Sequence, residues 1–158
     1  MIVKGPNGCR YLDDIDRQRA YVHDGWNLSG DLCIRNEEGY FSYEARTDDM
    51  ILTGGYNVSG LEVEAVLMEH SAIREVAVVG SPDKNRGQVV KAFIELRDKN
   101  LANDKLVIEL QNFVKSQISA FKYPREVEFV EELPHTPTGK IQRGALRQIE
   151  KNKKKDKI

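Results

Sequence analysis

The chain has 158 residues, of which 40% are hydrophobic, enough to bury the core of one domain, or of one domain with part of another. Because 24 Lys and Arg residues nearly balance 25 Asp and Glu residues, no overall field draws the protein to nucleic acid or to an anionic membrane. The apolar runs are far shorter than the roughly 20 residues of a membrane span, and no signal-peptide pattern is present. We therefore expect a cytoplasmic protein without nucleic-acid or membrane partners. Cys9 and Cys33 lack CxxC spacing and predict neither a zinc site nor a disulfide.

Residues 1–45 are rich in Gly, Asp and Asn and contain three short extended runs, at 2–3, 32–34 and 40–43. Residues 36–39, between the last two runs, have the composition of a hairpin turn. We expect a few strands with long loops here, too little to close a core.

From about residue 50 helical and extended patterns alternate. The predicted elements are, in order, a helix at 61–70, strands at 75–79 and 89–96, a helix at 104–119, a strand at 127–130 and a helix at about 142–151. Val63, Val66 and Leu67 share one face of the first helix, while Glu62 and Glu64 complement its dipole. This order predicts a small α+β domain, with a three-stranded antiparallel-type sheet and flanking helices. Residues 151–158 are expected to form a mobile basic tail.

The loop at residues 133–140 is the sharpest chemical feature, because two prolines and a glycine fix an exposed backbone just before Lys140. A compact ammonium group suits an anionic oxygen of a phosphate or carboxylate. The loop is not a Walker motif, since Pro134 stands where a glycine is needed and Ile141 follows the lysine. Taken alone, such a Gly-Lys pair is more often a surface turn than a catalytic site. The three histidines have no fitting partner in the sequence, so we expect no general base.

Four motifs in chain order resemble those of the adenylate-forming superfamily, which includes acyl-CoA synthetases, peptide-synthetase adenylation domains and luciferases. They are Gly25-Trp26-Asn27-Leu28-Ser29-Gly30-Asp31, the segment from Ala45 to Asn57, Phe121-Lys122-Tyr123-Pro124-Arg125, and the segment from Pro134 to Lys140. The resemblance extends from Val3 to about Arg147. Within the superfamily, Lys4-Gly5-Pro6, Trp26-Asn27-Leu28 and Ala45-Arg46-Thr47-Asp48-Asp49-Met50 look most like benzoate-CoA and 2-aminobenzoate-CoA ligases, followed by medium-chain acyl-CoA synthetases.

The resemblance implies a two-step reaction that uses ATP, CoA and a carboxylic acid. The carboxylate attacks the α-phosphate of ATP and releases pyrophosphate, and the CoA thiolate then displaces AMP. Lys140 matches the lysine that contacts phosphate in the first step. Asp31 and Arg46 match residues that contact the ribose, and Asp48 matches the hinge between a large N-terminal domain and a C-terminal lid. Mg²⁺ is expected through the N-terminal domain, and we expect no metal site in this chain.

The resemblance also implies a CoA site on the lid. Gly54 and Gly55 would let backbone approach the pantetheine arm, and a plain turn is the equally weighted alternative. The residues expected to contact CoA are Gly54, Gly55, Tyr56, Phe121, Lys122 and Arg125. Phe121 as a core residue and Arg125 as an ordinary surface residue remain open readings.

The domain organisation follows from the same resemblance. Residues 1–47 would be the incomplete end of the N-terminal domain's β subdomain, 48–150 the lid and 151–158 the tail. A strand follows Met1 almost at once, so we expect the rest of the N-terminal domain to be missing and the chain alone to be inactive. Two alternatives stay open: the lid of an adenylation domain that loads a carrier protein, and a free-standing module without catalytic activity.

Overall fold

The computed structural model describes residues 1–6 and 8–155, which divide into two compact units, one of Met1–Asp48 and one that begins at Asp49. The first unit contains β1 (Ile2–Val3), α1 (Ile15–Tyr21), β2 (Val22–His23), β3 (Trp26–Leu28), β4 (Asp31–Arg35) and β5 (Phe41–Arg46). Strands β1, β3 and β2 form one small antiparallel sheet, and β4 and β5 form the hairpin expected around residues 36–39. Asn36 closes its turn by accepting the backbone N–H of Tyr40 at 2.8 Å on its side chain.

Helix α1 was absent from the sequence prediction, because it has no apolar stripe. None of its seven residues is buried, so helical periodicity gave no signal. Its beginning is fixed instead by Asp14, whose side chain accepts the N–H of Arg17 at 2.9 Å. Ala45 is the buried hydrophobic residue of this unit, whereas many larger apolar side chains are exposed. The unit therefore builds almost no core of its own.

The second unit contains the main core. Its elements are β6 (Met50–Thr53), β7 (Tyr56–Ser59), α2 (Gly60–Met68), β8 (Ile73–Asp83), β9 (Gly87–Leu96), α3 (Asp104–Gln117), β10 (Glu126–Val130) and α4 (Arg143–Lys155). Strands β10, β9, β6 and β7 form one path of the sheet, and β8 pairs with β9 along its whole length. Short 3-10 helices at Thr47–Asp49, Lys99–Leu101 and Ala120–Lys122 connect these elements.

The α+β class is confirmed, but the sheet is larger and less uniformly antiparallel than expected. The hairpin of β6 and β7 joins β9 through the single residue pair Thr53 and Gly87 and brings the strand number to five. Strand β10 runs parallel to β9, from Glu126 opposite Lys91 to Val130 opposite Glu95. The cause is helix α3, which carries the chain back to the start of β9 before β10 begins.

Both faces of strands β8 and β9 are covered. Val76 and Val78 of β8 pack into the larger apolar cluster with α2 and α3, whereas Ala77 and Val79 pack on the opposite face with Leu133 and Leu146. This double burial explains the uninterrupted apolar run of β8, since a strand with one wet face would alternate. The segment before Lys140 and helix α4 together cover the second face.

Helix α4 continues to Lys155, four residues beyond the expected end at Lys151. The Nζ atoms of Lys153 and Lys154 each lie 2.7 Å from a carboxylate of β10, on Glu128 and Glu126 respectively. These ion pairs hold the C-terminal end of α4 against β10 and thereby stabilise its helical conformation. Residues 156–158, the end of the expected tail, lie outside the described residues.

Candidate functional site

The lysine loop, residues 134–140, is a closed hydrogen-bonded turn that presents Lys140 to solvent. The N–H of Thr136 donates to the carbonyl of Lys140 at 2.8 Å, and the N–H of Lys140 donates to Oγ1 of Thr136 at 3.0 Å. Gly139 lies at a φ of 80° and donates its N–H to the carbonyl of Thr136 at 2.9 Å, which only glycine does without strain. Within the described part of the chain no hydrogen bond or ion pair engages the ammonium of Lys140. The side chain is therefore available for a ligand.

The base of this loop is fixed by His135, contrary to the expectation that no histidine has a fitting partner. The backbone of His135 bridges to Ile141, and its Nε2 lies 3.0 Å from Oε1 of Glu75 on β8. The hydrogen bond to Glu75 raises the pKa of His135 above its usual value. His70 also has a carboxylate partner, with Nε2 3.1 Å from Oε1 of Glu109. The sequence prediction missed both pairs because their members are far apart in the chain.

Five of the six expected CoA residues, all except Arg125, fall into one cluster, which we call the hairpin cluster and define as Gly54, Gly55, Tyr56, Phe121 and Lys122. Gly54 and Gly55 form the turn between β6 and β7, at φ values of 56° and 87°. The ring of Tyr56 stacks on the ring of Phe121, with centroids 4.7 Å apart and planes 28° apart. The two rings are 57% and 40% exposed, so Phe121 is not the core residue that the alternative reading required. Together the rings form an aromatic platform beside a glycine turn.

The cations near this platform are already engaged. The Nζ atom of Lys122 lies 2.6 Å from Oε1 of Glu62 on α2. The guanidinium of Arg125 lies over the ring of Tyr123, 5.1 Å from its centroid, and the N–H of Arg125 donates to the carbonyl of Val90 at 2.9 Å. Both cations are therefore engaged within the chain, although Nζ of Lys122 also lies 5.9 Å from the centroid of the Phe121 ring. Glu62 is the residue that sequence reasoning did not connect with this cluster.

The lysine loop and the hairpin cluster lie at opposite ends of β9. The turn at Gly54 adjoins the start of β9, since its N–H donates to the carbonyl of Arg86 at 3.1 Å and Thr53 pairs with Gly87. The lysine loop adjoins the other end, because Glu75, which holds His135, is the partner of Glu95 in the β8–β9 register. Gly87 and Glu95 are eight residues apart, which corresponds to about 26 Å along a strand.

Helix α4 connects the lysine loop to helix α2 and to the start of the second unit. Arg143, three residues after Lys140, donates from Nε to Oε1 of Glu64 at 2.9 Å. Glu64 also accepts the N–H of Val78 at 2.8 Å and is only 8% exposed, so it is a buried anchor rather than the dipole partner expected from the sequence. Arg147 forms an ion pair with Asp49, the first residue of the second unit.

A buried charged cluster fastens the rest of α4. Nζ of Lys91 on β9 lies 2.7 Å from both Glu128 and Glu150, and Glu150 is fully buried. The hydroxyl of Ser81 donates to the second oxygen of Glu150 at 2.9 Å. Burial lowers the pKa of Lys91, but hydrogen bonds to the two carboxylates outweigh burial and raise it, so the lysine stays charged. The sequence signal for this cluster was a lysine within the apolar run of β9.

The predicted ribose contacts lie together in the first unit. Asp31 and Arg46 face each other in the β4–β5 register, and Nη1 of Arg46 lies 3.1 Å from Oδ1 of Asp31. Nε of Arg46 lies 3.5 Å from Oδ1 of Asp48. Burial alone would lower the pKa of Arg46, but Asp31 and Asp48 raise it by a larger amount. The net pKa is above its usual value, and the guanidinium remains charged. Gly30 lies beside this pair at a φ of 71°, which glycine adopts without strain, and a Cβ there would shift the guanidinium of Arg46, since it would lie 2.9 Å from Nη2.

The division between the compact units falls at the expected hinge residue. The first unit ends at Asp48 and the second begins at Asp49. Among residues 1–6 and 8–155 no group of three His, Cys, Asp or Glu side chains could hold a metal ion. No helix in the same residues is both long enough and apolar enough to cross a membrane.

Comparison with known proteins identifies the family. The model of the AMP-binding enzyme C-terminal domain matches residues 62–140, which is half of the chain. The chain is 44% identical over 147 residues to the uncharacterized acyl-CoA ligase YtcI of Bacillus subtilis, covering 93% of this chain and 28% of that protein. It is 47% identical over 142 residues to human mitochondrial acyl-coenzyme A synthetase ACSM2A, covering 89% of this chain and 25% of that protein.

The fold of the chain also matches that of a solved CoA ligase. The anthranilate CoA ligase AuaEII, solved in complex with anthranoyl-AMP, matches with a TM-score of 0.74 and 38% identity over 87% of this chain and 27% of that one. The expected primacy of benzoate-CoA ligases is not confirmed, since the curated relatives carry the broader acyl-CoA names. The chain spans about a quarter of the length of these relatives. The chain belongs to the AMP-binding enzyme C-terminal domain family, within the adenylate-forming superfamily.

Proposed function

We propose that this chain is the C-terminal part of an ATP-dependent acyl- or aryl-CoA ligase. In the first half-reaction a carboxylate attacks the α-phosphate of ATP, and pyrophosphate leaves. In the second, the thiolate of CoA attacks the carbonyl carbon of the acyl-adenylate, and AMP leaves. Membership of the family and the similarity to acyl-CoA ligases and synthetases support this assignment.

The separation of the lysine loop and the hairpin cluster is the observation that carries the proposal. Both half-reactions take place at the same acyl carbon and the phosphate bonded to it. The lysine loop and the hairpin cluster adjoin opposite ends of β9, at Glu95 and at Gly87, so a single orientation of a rigid unit would not present both to one reaction centre. The second unit must therefore turn between the steps, and the unit boundary at Asp48 supports a hinge at that residue.

Lys140 serves the first half-reaction in this proposal. Negative charge on the α-phosphate and the attacking carboxylate must be stabilised as it redistributes, and a positioned ammonium does this without proton transfer. The hydrogen-bonded loop holds the backbone of Lys140, so little order must be gained when ATP binds. No general base is required, because the attacking carboxylate is already ionised.

The hairpin cluster serves the second half-reaction. Exposed, stacked aromatic rings suit a purine, and the glycine turn leaves room for the pantetheine arm to lie against backbone. Lys122 can contribute a charge to a CoA phosphate only by sharing it with Glu62 or leaving that residue. The platform, rather than the cations, is thus the main support for a CoA site.

The first unit contributes part of the nucleotide site. Asp31 and Arg46 are held as a pair, and a carboxylate that accepts from Arg46 can still accept a ribose hydroxyl on a second lone pair. The hairpin of β4 and β5 exposes large apolar side chains, which a larger N-terminal domain would cover. That domain would supply Mg²⁺ and the acid pocket. The identity of the acid, benzoate or 2-aminobenzoate included, stays a prediction, as does the cytoplasmic location.

The proposal is tested by separating the half-reactions in the ligase that carries this chain with its N-terminal domain. A panel of carboxylic acids, assayed by pyrophosphate release, identifies the substrate first. Lys140→Ala is then expected to lower ATP–pyrophosphate exchange by about 10²- to 10³-fold, the usual cost of losing one charge-stabilising group. It should leave thioester formation from supplied acyl-adenylate nearly unchanged.

Two further variants control the result. Lys105→Ala removes another exposed lysine of the same unit and should affect neither step. Phe121→Ala should raise the KM for CoA and spare ATP–pyrophosphate exchange. Equal loss of both half-reactions in Lys140→Ala would contradict the assignment of Lys140 to adenylation. Transfer to a pantetheinylated carrier protein but not to free CoA would favour a carrier-loading enzyme instead.

A further inference from the structure

We propose that His135 and Glu75 form a protonation-dependent clamp that positions the lysine loop. We infer that this clamp makes adenylation, but not thioester formation, weaken as the pH rises. The functional half rests on the proposed role of Lys140. The structural half concerns the order of the loop and stands independently of any activity.

The clamp lies at the base of the lysine loop. The backbone of His135 pairs with Ile141, so the two residues close the loop on either side of Lys140. The side chain of Gln142 donates to the carbonyl of His135 at 2.7 Å and holds the same junction. From this junction the imidazole reaches Glu75 on β8 at 3.0 Å. The loop is otherwise bonded mainly to itself, and His135 thus joins it to strand β8 of the sheet.

The electrostatic surroundings favour the charged form of the imidazole. Glu75 faces it from β8 and Glu132 from the segment just before the loop, and Glu128 of β10 lines the same cleft. Helix α4 faces this cleft with the apolar side chains of Leu146 and Ile149. Glu128 is already paired with Lys91 and with Lys153 of α4, so Glu75 and Glu132 are the carboxylates that favour the charged imidazole.

The direction of the pH dependence follows from the pKa of His135, which the hydrogen bond to Glu75 raises. A group whose folded pKa is raised contributes its stabilisation fully below the unfolded value, and loses it as the pH rises through the folded value. The ion pair is thus present under mildly acidic conditions and lost above neutrality. A neutral imidazole still hydrogen-bonds to Glu75, so the clamp loosens rather than opens.

Loosening the clamp should displace Lys140. The bonds between Thr136 and Lys140 keep the loop together as one body, so movement at its base carries the lysine with it. Catalytic steps are sensitive to such shifts, since a misplacement of about 1 Å can cost 10²-fold. The pair is partly exposed, so we expect a smaller change, about two- to fivefold, as for other exposed ion pairs. The hairpin cluster, at the other end of β9, should not respond.

The structural half is tested by NMR on the 158-residue chain. The ring of His135 is titrated, and the hydrogen-exchange protection of the Lys140 N–H, corrected for intrinsic exchange, is followed over the same pH range. Protection should fall about two- to fivefold as the ring loses its proton. Glu75→Gln should show the weaker protection at every pH. His135→Lys, which stays charged, should keep the stronger protection throughout.

Glu109→Gln is the matched control, because it removes the carboxylate of the other histidine pair, His70 and Glu109, which lies outside the loop. It should leave the protection of Lys140 and its pH dependence unchanged. Protection that stays constant through the titration of His135, or an equal effect of Glu109→Gln, would overturn the clamp.

The functional half is tested in the ligase by the ratio of the two half-reaction rates. Because ionisation of the CoA thiol changes the ratio of adenylation to thioester formation in every variant, the ratio is compared between wild type and Glu75→Gln at each pH. The wild-type ratio should exceed that of Glu75→Gln about two- to fivefold while His135 is protonated and approach it once the proton is lost. Equal ratios in wild type and Glu75→Gln at every pH, with the loop still responding by NMR, would overturn the link to catalysis. If no carboxylic acid supports adenylation while the loop responds, the clamp stands and the proposed function fails.

Discussion

Replacement of Lys91 by methionine tests how helix α4 is held on the sheet. The side chain of Lys91 is 8% exposed, and its Nζ lies 2.7 Å from Glu150, which is fully buried. Without the lysine, Glu150 keeps the hydroxyl of Ser81 at 2.9 Å and, as its remaining cation, Lys153 at 3.8 Å. Breaking a buried pair by removing one member costs about 3–5 kcal/mol, because the remaining charge is uncompensated.

We expect the lower end of this range for Lys91→Met. Nζ of Lys153 already lies 3.8 Å from Glu150 and can move closer, and the methionine can pack against Phe93, whose ring lies 4.8 Å from Nζ of Lys91. The expected loss is therefore about 3 kcal/mol in the free energy of unfolding of the second unit. Chemical denaturation at neutral pH, followed through amide signals of β8 and β9, measures this unit without the first.

Two variants decide whether the reasoning is correct. Lys153→Met removes a lysine that is 46% exposed and should cost no more than about 1 kcal/mol. The double variant Lys91→Met with Glu150→Leu removes both buried charges and should recover most of the loss. A cost for Lys91→Met no greater than that for Lys153→Met, or a double variant less stable than Lys91→Met alone, would refute a buried ion pair as the cause.

Two further predictions concern the hinge and the packing of α2. Asp48→Pro should slow thioester formation more than adenylation in the complete ligase, because a fixed φ hinders rotation about the hinge. Separate measurement of the two half-reaction rates tests this prediction. An equal effect on both steps would argue against a hinge at this residue. Gly60→Ala should destabilise the second unit by about 1–3 kcal/mol, because the added Cβ would lie 2.7 Å from the carbonyl oxygen of Val78. Gly144→Ala, where the nearest atom is 3.8 Å away, should instead stabilise helix α4 by up to about 1 kcal/mol; thermal denaturation compares the two, and a shared sign would contradict the packing argument.

The local patterns predicted most of the second unit. The apolar spacing of α3, the β-branched runs of β8 and β9, and the turn chemistry around Gly139 each report a short-range preference that the fold keeps. Boundaries were less accurate. Strands β8 and β9 extend further into their polar connection than predicted, because pairing between them continues to Asp83 and Gly87 regardless of hydropathy.

The direction of β10 could not be predicted from its own residues. An alternating run gives the same pattern in a parallel and an antiparallel pair, and only the path of α3 across the sheet decides between them. Helix α1 was missed in the sequence analysis for a different reason. It buries no side chain, so it has no periodic apolar signal, and its Asp14 cap is common in turns as well.

The sequence by itself determined the family, through motifs whose order along the chain is informative, and it determined that Lys140 follows a rigid turn. Only the tertiary structure decided which charges meet. Glu75 reaches His135 across 60 residues, Glu62 occupies Lys122, and Glu64 is buried against Arg143 rather than exposed near the end of its helix. The physical reason is that local sequence does not indicate which distant cation a given carboxylate will pair with. With 25 acidic and 24 basic residues, the sheet register and the docking of α4 select the pairs.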